Sequence, residues 1–305
     1  MAYDVSNFSD FISRENKALT KTLFTGGDTG KFALYMANVK GSTSVPHVSG
    51  AATLQSGNCA TPSGDAVINE VVLTVKPFTV FESFCSDDLQ TKLPNTVLAP
   101  GSNNGDDLPF EEEIVNTKVA SIAETLEMTY WQGNTASGST YQLFDGFIKL
   151  IDADSNVIDG NTSGATAITK DNVKGLVEDM RIAAPAKVKR SKDYVTLVGD
   201  DVFDMYISKE KSDNLYHYKP EHDNGVYEIG GGHGKLIRVY GLDGTSRMFA
   251  SVGSNFIVGS DVISETETIE AFYDKTLDKV MLRTKGKAGV QISNADEIVE
   301  FTLTV

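Results

Sequence analysis

Four histidines occur in the chain, His47, His217, His222 and His233. Imidazole is the side chain most often used for proton transfer near neutral pH, so each is a candidate general base. His217, His222 and His233 share one polar stretch, 211–234, with Asp223 beside His222; His47 follows Pro46 in another. A hydrolase would need one of these rings against a nucleophile, and no such pair is evident. Their spacings match no metal-ligand pattern either, so surface loop positions are expected. The run from Gly230 to Lys235 approaches a phosphate loop. That cradle needs a glycine five residues before the Gly-Lys pair and a Ser or Thr after it, where Ile229 and Leu236 stand. Asp152, Asp154 and Asn156 begin like a calcium loop, but Val157 and Ser163 occupy the glycine and glutamate positions. Glu111, Glu112 and Glu113 suit the positive end of a helix dipole better than a catalytic or metal cluster. Neither Cys59 nor Cys85 belongs to a CxxC pair or has a nearby His, which argues against a zinc cage and for two reduced thiols in an intracellular product. No catalytic, cofactor or metal site is expected, and no enzyme.

The densest basic cluster is Lys187, Lys189, Arg190 and Lys192. No aromatics interleave it, so it reads as a solvated edge. Over 305 residues the net charge is −15. A free duplex binder would be basic, so the acidic balance argues against sequence-specific DNA recognition and does not exclude a container whose wall repels nucleic acid inside it. Hydrophobic residues at 40% and charged residues at 23% give a folded chain with core enough for one large domain or two modest ones. No signal peptide and no membrane span are read, so a cytoplasmic product with no membrane partner is expected.

The elements that must position these residues follow from periodicity. Phe8, Phe11, Ile12 and Leu19 recur at helical spacing, and the segment breaks at the Gly-rich run 25–30; such a stripe must be buried, either on its own domain or on a neighbour. Residues 31–90 read as extended. Phe32–Met36 opens them, a polar turn-rich stretch runs from Gly41 to Gly64, and Val71, Leu73 and Val75 then alternate with Val72, Thr74 and Lys76. Two strands joined by a long polar loop make a projecting hairpin that must find its partner elsewhere. Pro109 opens the longest helix, 109–131, with Phe110, Ile114, Val119, Ile122, Leu126 and Tyr130 on its apolar side. Helix and strand alternate over 145–260: a helix at 170–184, a strand at Tyr194–Val198, a helix at 201–209, then strands near 236–240, 248–252 and 255–258. From Thr268 the chain reads as β, with separate strands at 280–284, 290–292 and 299–305.

The order of these segments resembles the major capsid proteins of tailed bacteriophages, the Hong-Kong-97 fold. The run Ile68–Phe84 followed by Ser86-Asp87-Asp88-Leu89 is similar to the returning strand of that family's extended loop. Met128-Thr129-Tyr130-Trp131-Gln132-Gly133-Asn134, with Phe144-Asp145-Gly146-Phe147, resembles the end of its spine helix. The helix–strand–helix at 170–209 resembles the core of its axial domain. Gly289-Val290-Gln291-Ile292-Ser293-Asn294-Ala295 is similar to its usual ending.

The resemblance implies an α+β chain built as an N-terminal arm (1–30), an extended β-hairpin loop (31–80), a peripheral domain with the spine helix (81–144 and 265–305) and an axial α/β domain (145–264). It implies a structural subunit of the virion that self-assembles in a bacterial host cytoplasm. Hexamers and pentamers would close into an icosahedral shell around double-stranded DNA, which is held by proximity alone. It also implies a separate scaffolding protein, a portal and accessory head proteins. Phe8, Phe11 and Ile12 on the arm and Lys40 and His47 on the loop are the expected subunit contacts. Two rivals keep part of the pattern: an encapsulin-like shell with protein cargo, and a β-rich tail or adhesion module.

Overall fold

The computed structural model describes residues 26–50, 66–85, 109–136, 138–213, 225–229, 234–261, 269–277 and 279–304, with Ile12, Glu15, Leu19 and 21–24 before them. Phe8, Phe11, the segment 51–65 and His217, His222 and His233 lie outside these residues.

The longest periodic segment becomes helix α1, Pro109–Gln132. Val115, Val119, Ile122, Leu126, Tyr130 and Trp131 are buried along it. Lys118 fastens it outward, with an ion pair to Glu82 at 2.7 Å. Short helix α2, Phe147–Asp152, follows, and buries Phe147 and Ile151.

A first sheet joins β1 (Leu34–Met36), β4 (Lys76–Cys85), β10 (Phe256–Asp261), β11 (Ile269–Asp274) and β12 (Lys279–Ile292). The sequence suggests two strands over 280–292, but β12 is one strand of 14 residues. Gly286 and Gly289 lie inside this strand where other segments come close to it. A Cβ at Gly289 would lie 2.2 Å from the Thr74 carbonyl oxygen, and one at Gly286 would lie 2.9 Å from the rings of Phe24 and Phe78. β1 pairs in parallel with β10, Leu34 opposite Ile257, so Phe32–Met36 is not the first arm of the hairpin. Pro77, which reads as an interruption, lies inside β4 opposite Lys287. Among the described residues β4 pairs only with β12, and an edge strand tolerates a residue without an N–H.

A second sheet runs in the order β5 (Ile158–Asp159), β13 (Val299–Phe301), β9 (Met248–Val252), β6 (Tyr194–Val198), β8 (Lys235–Arg238) and β7 (Val226–Glu228). β7 falls within the stretch 211–234 that reads as loop. It is only three residues long and pairs with β8 through Val226 and Ile237, so its periodicity is too short to see. All five residues of β6 are buried. The alternation of a strand explains how: Tyr194 and Val198 face one cluster, Val195 and Leu197 another. The first cluster covers helices α3 (Val173–Ala183), α4 (Ala186–Lys189) and α5 (Asp200–Ser212). The second is shared with α1, α2 and the first sheet. Trp131 sits at this junction, fully buried, with ring centroids 5.0 Å from Phe147, 5.7 Å from Phe249 and 5.6 Å from Phe256.

Candidate functional site

Two arrangements in the described residues bear on what the chain does. One is a tie between the N-terminal segment and α1, and the other is a two-stranded hairpin.

Residues 28–31 form a 3₁₀ turn against α1. The Thr29 backbone N–H donates to Glu127 Oε1 at 3.0 Å and its hydroxyl donates to the same oxygen at 2.5 Å. That hydroxyl in turn accepts the Trp131 indole N–H at 2.8 Å. A Cβ on Gly27 would lie 2.2 Å from Glu127 Oε2, so only glycine lets the segment pass. Glu127 is buried, and its pKa is pushed up to about 7 by loss of solvation, with the nearby Asp28 charge adding to the effect and the Thr29 bonds opposing it. Next to it, burial also pushes the Tyr130 phenol well above its ordinary value. The segment is anchored by its apolar residues too, since Ile12, Leu19, Leu23 and Phe24 belong to the cluster that holds Val115 and Val119. Ile12, expected as a contact with another subunit, is therefore covered by its own chain and is only 4% exposed.

The hairpin pairs β2 (Ser42–Gly50) with β3 (Ala66–Thr74), from Ser42 opposite Thr74 to Gly50 opposite Ala66. Nine residues of the polar stretch 41–64 thus form a strand. Ser42, Thr43, Ser44, Pro46 and His47 carry turn-like composition, and the pairing with β3 overrides it. Nine residues span about 30 Å. Among the described residues no third strand joins the pair.

The two faces differ. The inner face is anchored at its base, where Leu73 and Val75 pack with Val39 and Ile257. Gln291 Nε2 donates to the Val72 carbonyl at 2.9 Å, Lys287 Nζ donates to the Lys40 carbonyl at 3.0 Å, and the His47 ring Nε2 lies 3.3 Å from Asn294 Nδ2. Lys40 and His47, both expected as subunit contacts, thus also make contacts inside the chain; Lys40 is exposed and His47 half-buried. The outer face presents Ile68 at 65% exposure and Val72 at 55%, with Val67 at 48% near the end of the strand. Two-stranded ribbons are marginal in water by themselves, and large aliphatic residues on one carry no benefit there.

Among the described residues no group of three or more His, Cys, Asp or Glu is placed to hold a metal ion. No helix of the described residues is long and apolar enough to cross a membrane.

No family model and no curated protein matches the chain by sequence. Solved structures do match by fold. A chain of the satellite phage P4 procapsid that includes the size determination (Sid) protein superposes with a TM-score of 0.61 at 11% identity, covering 94% of this chain and 91% of that one. The capsid of an empty GTA particle gives 0.60 at 10% identity, over 92% and 90% of the two chains. A virus-like particle from Pyrococcus furiosus gives 0.53 at 10% identity, over 95% and 98%. The fold is that of phage capsid proteins, an α+β arrangement shared along almost the full length of these chains.

Proposed function

We propose that the chain is a shell-forming subunit, the major capsid protein of a tailed phage, with copies of itself as its main partner. The observation that carries this reading is the hairpin: a ribbon that exposes Ile68 and Val72 on its outer face and has no third strand among the described residues, on a chain with a capsid fold. Laid across a neighbouring copy, that face loses its contact with water. Burying Ile68 and Val72 would stabilise the contact by about 1.5–3 kcal/mol per side chain. In this reading 1–30 is the arm, 31–80 the extended loop, 81–144 with 265–305 the peripheral domain, and 145–264 the axial domain. Hexamers and pentamers close the shell around double-stranded DNA in the host cytoplasm, with scaffolding, portal and accessory head proteins as further partners.

The likeness to a virus-like particle over 98% of that chain supports a second reading, an encapsulin-like shell with protein cargo. Cargo separates the two readings. Particles that protect nucleic acid from nuclease favour the phage head, and particles that co-purify one protein favour the compartment.

The test expresses wild type and the Ile68→Asp/Val72→Asp variant and images both by negative-stain electron microscopy beside a sizing column. Wild type is expected to give shells, tubes or rings. The variant is expected to stay unassembled with an unchanged melting temperature, because both substitutions are on the exposed face. Shells formed equally by both proteins would remove the hairpin from the assembly contact.

A further inference from the structure

Strand β6 carries opposite charge at its two ends. Before it come Lys187 and Lys189 of α4, then Arg190 and Lys192. Lys235 joins them as the first residue of the parallel neighbour β8, paired with Val195. Lys192 and Lys235 border an open cleft of about 330 Å³ with Lys31, walled by Phe32, Val195 and Ile237. Asp193 shares that rim, Asp28 holds Lys31 at 2.7 Å, Glu297 holds Lys187 at 3.2 Å and Glu228 is paired across the strands with Lys235, which leaves Lys189, Arg190 and Lys192 to make this end net basic.

Beyond the other end of β6, Asp200, Asp201 and Asp204 open α5, and Asp243 comes in after the turn that follows β8. The crowding has a measurable consequence. Desolvation raises the Asp200 pKa, Asp243, Asp28 and Asp204 add to the rise, and Arg238 opposes it. Arg238 Nε lies 3.2 Å from Asp200 Oδ1, a charge contact whose geometry makes no hydrogen bond. Asp204 and Asp243 are exposed. The two clusters are separated by the length of a five-residue strand, about 17 Å.

We infer that these clusters are the two halves of one contact between copies of this chain, the basic end of β6 in one copy seating against the acidic end in the next. The inference rests on the shell reading and names the residues that carry one of its interfaces. A foreign acidic partner would need only the basic half. Both halves in one chain, at the two ends of one strand, give a head-to-tail contact that repeats with the same sense and closes into a ring where successive copies are rotated. It also answers a problem set by composition, since chains of net charge −15 repel one another unless local complementarity orients their encounter.

The test is charge reversal in full-length protein at about 0.1 M salt, where opposed charges in contact are not fully screened. Lys192→Glu/Lys235→Glu and Asp204→Lys/Asp243→Lys are each expected to lower the assembled fraction about tenfold or more, since like charges then meet. Lys192→Gln/Lys235→Gln is expected to fall between. The variant with all four reversals restores complementarity and is expected to assemble like wild type. Melting curves like that of wild type separate lost contact from lost fold. Shells that form in wild type and are indifferent to reversal overturn this contact and leave the shell reading standing. Failure of the fourfold variant to recover, with its melt intact, overturns it as well. A wild-type chain that stays monomeric at every concentration overturns this contact, while a shell that assembles on a scaffolding protein still stands.

Discussion

Burial pushes the Glu127 carboxyl up to about 7, so the folded chain binds a proton there that the unfolded chain releases near 4.5. The sign follows. A group whose folded pKa is raised contributes stability in full below the unfolded value and loses it as pH rises through the folded one. Stability should therefore fall between about pH 5 and 8, by at most about 3 kcal/mol from this group. Glu127→Gln is expected to flatten that slope and to exceed wild type at pH 8.5; urea melts at pH 5.5 and 8.5 check it, and parallel losses in both proteins would assign the slope elsewhere. Two glycines give a sharper contrast at the same scale. A Cβ at Gly241 would lie 2.3 Å from Trp131 Cδ1 and 2.7 Å from the Glu127 carbonyl oxygen. Gly241→Ala is expected to cost about 1–3 kcal/mol, because the indole it meets is fully buried. Gly175, inside α3, has nothing within 4 Å of its Cβ position. Gly175→Ala is expected to add about 0.5–1 kcal/mol. Thermal melts of the two variants should move in opposite directions.

Elements with a full period of burial were legible in the chain. Helix α1 follows the 109–131 pattern within a residue, and Tyr194–Val198 is the strand it reads as. Elements defined by their neighbours were not. The first hairpin strand is polar because its own ladder, not a core, holds it, so Ser42–Gly50 reads as turn. β1 has three residues and is fixed by its parallel pairing with β10. The tie at Thr29 and Glu127 joins residues 98 positions apart, and a lone glutamate on a helix reads as solvated. Among the expected contacts, Lys40 and His47 do lie on or beside the hairpin, while Ile12 joins the cluster that holds Val115 and Val119, about a hundred positions away in sequence, a distance that spacing alone does not bridge. The alternation in β3 was visible, and it separates two consequences. Leu73, fully buried against Val39, Val75 and Ile257, anchors the hairpin. Leu73→Ala is expected to cost about 2–5 kcal/mol in a chemical melt of the unassembled chain. Val72→Ala, one residue along on the exposed face, is expected to stay within about 0.5 kcal/mol of wild type in that melt. Equal losses at both positions would mean that the outer face is covered within the chain.

At the scale of the whole molecule, two electrostatic effects oppose each other and salt separates them. The net charge of −15 sets copies apart at long range. The lysine and aspartate clusters at the ends of β6 draw them together only at contact. At about 10 mM salt the screening length is about 30 Å, longer than the ~17 Å between the clusters, so each copy presents its net negative charge. At about 0.1 M the length is about 10 Å; the net repulsion fades while opposed side chains in contact still attract. Near 1 M it is about 3 Å, and the contact pairs weaken too. The apolar hairpin face is not screened and strengthens in excluded salts such as sulfate. Assembly followed by light scattering should therefore pass through a maximum near 0.1 M sodium chloride, and the maximum should vanish in the Lys192→Glu/Lys235→Glu variant. A steady rise with salt in wild type would leave the hairpin as the whole attraction and assign the clusters no part in it. A steady fall would mean that local pairing outweighs the net charge at every range.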